Sequence, residues 1–163
     1  DKWLMYDASI RIPLIIYDPR VSNPSVVDEM VLNIDVTKSI LEFAGIHPPK
    51  NYQGINLRPF LAKGNIPSER QSILIEHLWE LAEIPSSEGI RTAKWKYFRY
   101  RLIKAPEELY DLENDPLEKN NLASDIKYSK ILAKLRKACD STSLKYQREK
   151  LCPDEPFIEQ KNF

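Results

Sequence analysis

Glycine is scarce in this chain and cysteine scarcer, four and two among 163 residues. Four glycines, none clustered, exclude a glycine-rich loop that cradles phosphates. Cys139 and Cys152 are separated by a mostly polar stretch with no CxxC spacing and no neighbouring histidine, which argues against a zinc site. Two free thiols are expected, a disulfide between them being the alternative. Charge of one sign is lacking as well: 24 Lys and Arg balance 24 Asp and Glu, so no global field draws in nucleic acid. No apolar run approaches the roughly 20 residues that span a bilayer, so no membrane partner is expected. The first residue is Asp1 rather than Met, and no signal-peptide order of basic, apolar and small residues follows. The chain is therefore expected to be part of something longer.

What is present is the composition of a globular protein, 42% hydrophobic and 29% charged. Organisation is clearest over residues 88–116. Three short segments rich in aromatic and β-branched residues, 90–92, 94–101 and 108–112, are separated by polar or proline-bearing breaks, the pattern of an antiparallel meander. The two-residue period sends Trp95 and Tyr97 to one face and Phe98 and Tyr100 to the other, so both faces need cover. Asn114-Asp115-Pro116 stops the last strand. Beyond it, Ser124 or Asp125 can cap a helix whose apolar positions Tyr128, Ile131, Leu132, Leu135 and Cys139 recur at three and four. Lys127, Lys130, Lys134 and Lys137 fall on its other face. The apolar stripe should lie across the sheet.

Upstream, Leu14, Ile15, Ile16 and Tyr17 form an unbroken apolar run, as a strand buried on both faces would, yet these residues offer it no parallel neighbours. Val36, Ile40, Phe43 and Ala44 mark a helix of about three turns, with Asp35 as N-cap and Gly45 as its stop before Pro48-Pro49. A connector over 49–70 holds a short helical turn at 57–62, and residues 72–77 resume a strand. Residues 78–86 read as a loop, and residues 151–163 as a frayed or contact-ordered tail. The fold class is α+β: a small antiparallel sheet of about four strands packed against a C-terminal helix, preceded by a strand and a helix.

Chemistry-bearing clusters are few. His47, in a proline-bound loop, reads as a solvated bystander. His77 ends a strand beside Trp79 and Glu80, a setting common in pocket linings. Lys94, Lys96, Arg99 and Arg101 interleave with aromatics as a nucleic-acid face would, but the neutral balance favours a solvated strand edge. Glu107, Glu108, Asp111, Glu113 and Asp115 lack calcium-loop spacing and read as turn and surface residues.

Five segments in order resemble the C-terminal part of a type I sulfatase of the alkaline-phosphatase-like superfamily. DKWLMYDASIRIPL is similar to its K-x-x-x-Y-(E/D)-x-S-x-R-x-P-L segment, VLNIDVTKSILEFAGI to its N-(I/V)-D-(L/V)-x-x-(T/S)-(I/L)-L helix, and QGINLRPFL to its G-x-S-L-x-P-L-L element. SEGIRTAKWKYFRY and EELYDLENDPLEKNNLA resemble its final sheet. The resemblance implies that residues 1–70 belong to a large α/β catalytic domain, that 71–150 form the C-terminal subdomain and that 151–163 are a tail. It also implies a parent enzyme that hydrolyses sulfate esters, of sugars above all. Such an enzyme uses a formylglycine from a C/S-x-P-x-R motif and a divalent ion, calcium, held by groups upstream of Asp1. Neither Cys139 nor Cys152 sits in that motif, so this part is expected to bind no cofactor or metal itself and to be incompetent alone. Its partners would be the missing N-terminal catalytic part and a small sulfated substrate. Lys2 matches the family lysine that contacts sulfate, and Arg11 an arginine expected to make an ion pair beneath the site. His77, Trp79 and Arg91 fall by region on substrate-binding surface. A periplasmic or extracellular parent is implied. Two alternatives stand: a free-standing binding module, or the same part of a phosphate or phosphonate ester hydrolase. Self-association through the run from Leu14 to Tyr17 is expected of the isolated chain.

Overall fold

The computed structural model describes residues 4–63, 70–78, 84–101 and 103–148. Its centre is the expected meander. Strands β1 (Ile73–His77), β2 (Ser87–Arg91), β3 (Trp95–Tyr100) and β4 (Glu108–Asp111) pair antiparallel in chain order. Gly89 permits the closest approach in this sheet: a Cβ there would stand 2.4 Å from the Tyr97 carbonyl oxygen and 2.6 Å from Phe98 Cβ. Only a residue without a side chain fits.

Each face of the sheet is covered, as the alternation in β3 requires. On one face Ile90, Tyr97 and Leu109 pack against Leu132, Leu135 and Cys139 of α4 (Ser129–Arg148). Asp125 caps the 3₁₀ turn that leads into α4 by accepting the Lys127 N–H, and the four predicted lysines of the outer face are exposed. Cys139 is free and fully buried, and burial pushes its thiol up to about 12. Cys152 and the tail lie outside the described residues. On the opposite face Phe98 and Tyr110 pack around Met5, with Tyr6, Ile75, Tyr100 and Leu112 at the margin. That second cover is the chain's own N-terminal segment, which ends in the one-turn helix α1 (Asp7–Ile10).

Helix α2 (Asn33–Phe43) has the predicted length, and Gly45 closes it at φ +72°, the left-handed geometry of a C-terminal stop. Its start differs from the expectation. Asn33 already lies in the helix, so Asp35 is not the N-cap; it sits in the first turn, and its carboxylate reaches back to accept the Leu32 N–H at 2.6 Å. The same carboxylate accepts the Ile55 N–H at 2.8 Å and both arms of the Arg70 guanidinium at 2.6 and 2.7 Å. Fully buried, it ties α2 to the connector and to the approach to β1. Burial works to raise its carboxyl, and these donors outweigh that and hold it below the usual range. Helix α3 (Arg58–Lys63) supplies the predicted turn in the connector.

The run at Leu14–Tyr17 departs from the strand reading. It carries no ladder among the described residues and is exposed, Ile15 to 92% and Tyr17 to 85%. A strand is defined by its neighbour, and no described segment lies alongside to pair with it. It passes α2 instead, with which it lines an open apolar cleft of about 420 Å³.

Candidate functional site

The meander register places two cations side by side. Arg91 in β2 is the direct cross-strand partner of Lys96 in β3, and Lys96 is in turn opposite Tyr110 in β4. Like charges in this arrangement repel, and on a covered face they cannot be left to water. Two carboxylates meet them. Asp7 accepts the Arg91 Nε and Nη2 at 3.1 and 2.9 Å and also the Lys96 ammonium. Glu118 takes Lys96 Nζ at 2.7 Å through Oε1, and its Oε2 accepts the Asp7 backbone N–H. The group is two positive and two negative charges, with the side chains of Lys96 and Glu118 only 1% and 2% exposed. Burial pushes the Asp7 carboxyl up, but the hydrogen bonds from Arg91 and Lys96 prevail and hold it at about 2. Glu118 has φ +52°, a left-handed backbone unusual for a residue with a side chain. Its two buried attachments hold that conformation in place.

A second cluster lies beside the first. Glu108 accepts the hydroxyls of Tyr6 and Tyr100 at 2.9 and 3.0 Å, and that of Tyr110. Burial, reinforced by this carboxylate, raises all three phenols above their ordinary range. The rings of Tyr6 and Phe98 meet edge to face at 5.6 Å. Met5, Tyr6 and Asp7, three consecutive residues, are thus each seated in the sheet by a different force: apolar burial, a phenol–carboxylate bond and a buried ion pair. Next to them opens a cleft of about 440 Å³, lined by Leu4, Pro85, Tyr100, Ile103 and Glu108.

The residues singled out from sequence fare differently. Lys2 and Trp79 lie outside the described residues. His77 and Arg91 are on one face, but at opposite ends of the β1–β2 ladder, since His77 pairs with Ser87 and Ile73 with Arg91. At a strand rise of 3.3 Å they stand about 13 Å apart. The Arg91 fork is engaged by Asp7 and by the Thr92 carbonyl at 3.2 Å. Arg11, expected in an ion pair, is exposed and makes none among the described residues. His47 is exposed, as a bystander would be.

The basic residues of β3 are not a solvated edge. Lys96 is buried, and Arg99 bridges Glu88 at 2.7 Å and Asp140 of α4 at 2.6 Å, tying sheet to helix. The neutral net charge said nothing of local pairing, and the strand alternation that put Lys96 beside Phe98 and Tyr100 was the missed signal. Of the acidic residues read as turn and surface groups, Asp111 accepts the Glu113 and Asn114 N–H groups and Asp115 those of Lys119 and Asn120, as expected, whereas Glu108 lies in β4 and binds three phenols and Glu107 accepts from Tyr97 and Arg136. No group of His, Cys, Asp or Glu among the described residues is arranged to hold a metal ion.

Comparison with known proteins bears on what this face belongs to. The family model described as N-sulphoglucosamine sulphohydrolase, C-terminal, matches residues 1–145. The chain is 30% identical over 160 residues to an N-acetylglucosamine-6-O-sulfatase of Bacteroides thetaiotaomicron, covering 95% of this chain and 28% of that protein. It is similar to a solved structure described as in complex with its substrate D-glucosamine-2-N,6-O-disulfate, with a TM-score of 0.63 and 27% identity over 74% of this chain and 25% of that one. It is also similar to the phosphonate monoester hydrolase of Agrobacterium radiobacter, with a TM-score of 0.53 and 26% identity over 69% of this chain and 24% of that one. The chain thus spans about a quarter of the length of the proteins it matches. With the family model matching residues 1–145, the chain belongs to the N-sulphoglucosamine sulphohydrolase C-terminal family, the C-terminal part of an alkaline-phosphatase-like sulfatase.

Proposed function

We propose that this chain is the C-terminal portion of an enzyme that hydrolyses sulfate esters of sugars, and that it supplies fold support and part of the substrate surface rather than the bond-breaking groups. The observation that carries this is the match over residues 1–145, which spans the N-terminal segment, the meander and most of α4. The sugar is supported by relatives whose names specify glucosamine sulfates. In this reading Lys2 is the sulfate contact, a point charge suited to an oxyanion. The cleft beside Leu4 offers substrate surface two residues along the chain, and His77, the last residue of β1, and Trp79, outside the described residues, are assigned to substrate binding by the same reading. Arg91, with its guanidinium taken by Asp7, serves the arrangement of the site instead. The nucleophile and a calcium ion would be held by groups outside this chain, whose described residues do not fit a metal; the compartment would be periplasmic or extracellular.

The likeness to a phosphonate monoester hydrolase favours a second reading, with the same part placed in an enzyme for phosphonate or phosphate esters. The full-length protein assayed on para-nitrophenyl sulfate, para-nitrophenyl phosphate and a phenyl phosphonate ester, with calcium and after chelation, separates them. Cleavage of the sulfate at least tenfold faster than the others, lost on chelation, is the expected result. Preference for a phosphorus ester installs the second reading. Turnover of none of them points to a binding module.

A further inference from the structure

The outer face of α4 carries a row of like charges. Lys130, Lys134, Lys137 and Lys145 fall within about 80° of arc on this helix, and Lys127 precedes them in the 3₁₀ turn. All five are exposed, on the far side of the helix from Leu132, Leu135 and Cys139. From Lys130 to Lys145 the row is about 22 Å long at the rise of an α-helix. No carboxylate pairs with any of the five among the described residues. Asp140, the one acidic residue of α4, is taken by Arg99 at 2.6 Å, and the Asp125 carboxylate accepts the Lys127 backbone N–H. Arg136 of the same helix, by contrast, is bound by Glu107 at 2.8 Å.

Solvation accounts for exposed lysines but not for this segregation in a chain of balanced charge. A solvated helix face alternates the two signs, because like charges three and four places apart repel, as Lys130 does Lys134 and Lys134 does Lys137. Cations are also least favoured at a helix N-terminus, where Lys127 and Lys130 stand and where no acidic residue occupies the first turn. The row thus weakens the helix in the free protein, and a partner of repeated negative charge would relieve it.

We propose that the lysine row of α4 binds a sulfated polysaccharide laid along the helix. The charge pattern calls for a linear polyanion; the choice of polymer rests on the reading of the parent as a sugar-sulfate hydrolase. Ammonium groups on flexible stems suit sulfates of varied spacing, since each acts as a point charge. Ser141 shares the arc and no aromatic residue does, so the row offers no ring on which a nucleic-acid base could stack. Helix α4 covers the face of the sheet opposite Met5, so a polymer held there leaves the N-terminal segment uncovered.

Calorimetric titration of the full-length protein with heparin, at low and at physiological salt, tests this. Lys130→Glu with Lys134→Glu should weaken binding at least tenfold and flatten its salt dependence, because fewer counterions are released. Lys50→Glu with Lys104→Glu, the same charge change at exposed lysines outside α4, should weaken it less than twofold. Equal losses in the two pairs, or no binding of heparin at all, overturn the inference. So does tighter binding of single-stranded DNA or of phosphatidylserine vesicles than of heparin, since the row would then serve another partner. Should the reversed pair fail to fold, Lys130→Gln with Lys134→Gln replaces it, with an expected loss of at least threefold. Turnover of para-nitrophenyl sulfate by the α4 pair should stay within twofold of wild type. Heparin binding through the row in a wild-type protein that does not cleave this ester upholds the inference and sinks the proposed function, which keeps the two failures apart.

Discussion

At the scale of single residues, Asp7 shows how a charge can be stabilising in a place where its burial is costly. Its carboxyl is held at about 2, below the value of about 3.9 it has in an unfolded chain. A depressed folded value contributes stability that is complete well above the unfolded value and is lost as pH falls through the folded one, so the clamp weakens between about pH 5 and pH 2. Asp7→Asn imitates the protonated form and should cost about 3 kcal/mol at pH 7, the usual result of breaking a buried pair from one side. Urea unfolding of both proteins from pH 7 to pH 2 checks this: the gap between them should close as acid titrates the wild-type carboxylate, and a gap constant with pH would contradict the ion-pair account. The partners of Asp7 were only half legible in the sequence. Lys96 lies between Trp95 and Tyr97 in an alternating strand, which fixes its face, but Glu118 is on a loop with no period, and nothing local announces that it turns inward.

At the scale of elements, periodicity was the reliable guide. Helix α4 repeats its apolar residues at three and four, the meander alternates at two, and both emerge with the faces those periods assign. Leu135→Ala should destabilise by about 2–5 kcal/mol, since Leu135 packs among Ile90, Tyr97 and Leu109 in the core of that interface. Lys134→Ala, one position away and exposed, should stay within about 0.5 kcal/mol. Thermal unfolding of the two variants against wild type reads both. Where the sequence misled, it was at ends, at partners and in the run at Leu14–Tyr17, read as a strand but without a ladder among the described residues. Asp35 suits an N-cap, yet it is drawn two residues into α2 because its carboxylate serves Leu32, Ile55 and Arg70 together. That choice is tertiary, made by an arginine 35 residues away.

At the scale of the whole molecule, the two faces of the sheet are satisfied by the chain itself, whereas the segment from Ile12 to Tyr17 and the side of α2 beside it leave Ile12, Ile15, Tyr17 and Ile40 exposed. An apolar strip of this kind is what the sequence's unbroken run promised, without a neighbour to complete it. Residues 1–163 expressed alone should therefore associate in sedimentation at high concentration, and Ile15→Lys with Tyr17→Lys should shift them toward monomer. A clean monomer for the unaltered chain would count against this. The candidate site was legible at this scale only as a family likeness, because its groups come from three distant stretches.

Those distances also set a schedule. Asp7 and Glu118 are 111 residues apart, and Lys96 lies between them. At about 5–20 residues per second, a ribosome needs on the order of ten seconds to deliver the last partner after the first. Arg91 and Lys96 reach Asp7 first, and until Glu118 follows the cluster carries two cations against one carboxylate, so a product cut short before Glu118 leaves that pair under-neutralised. Nascent chains should thus change from protease-sensitive to resistant around Asp7 only once translation has passed Glu118.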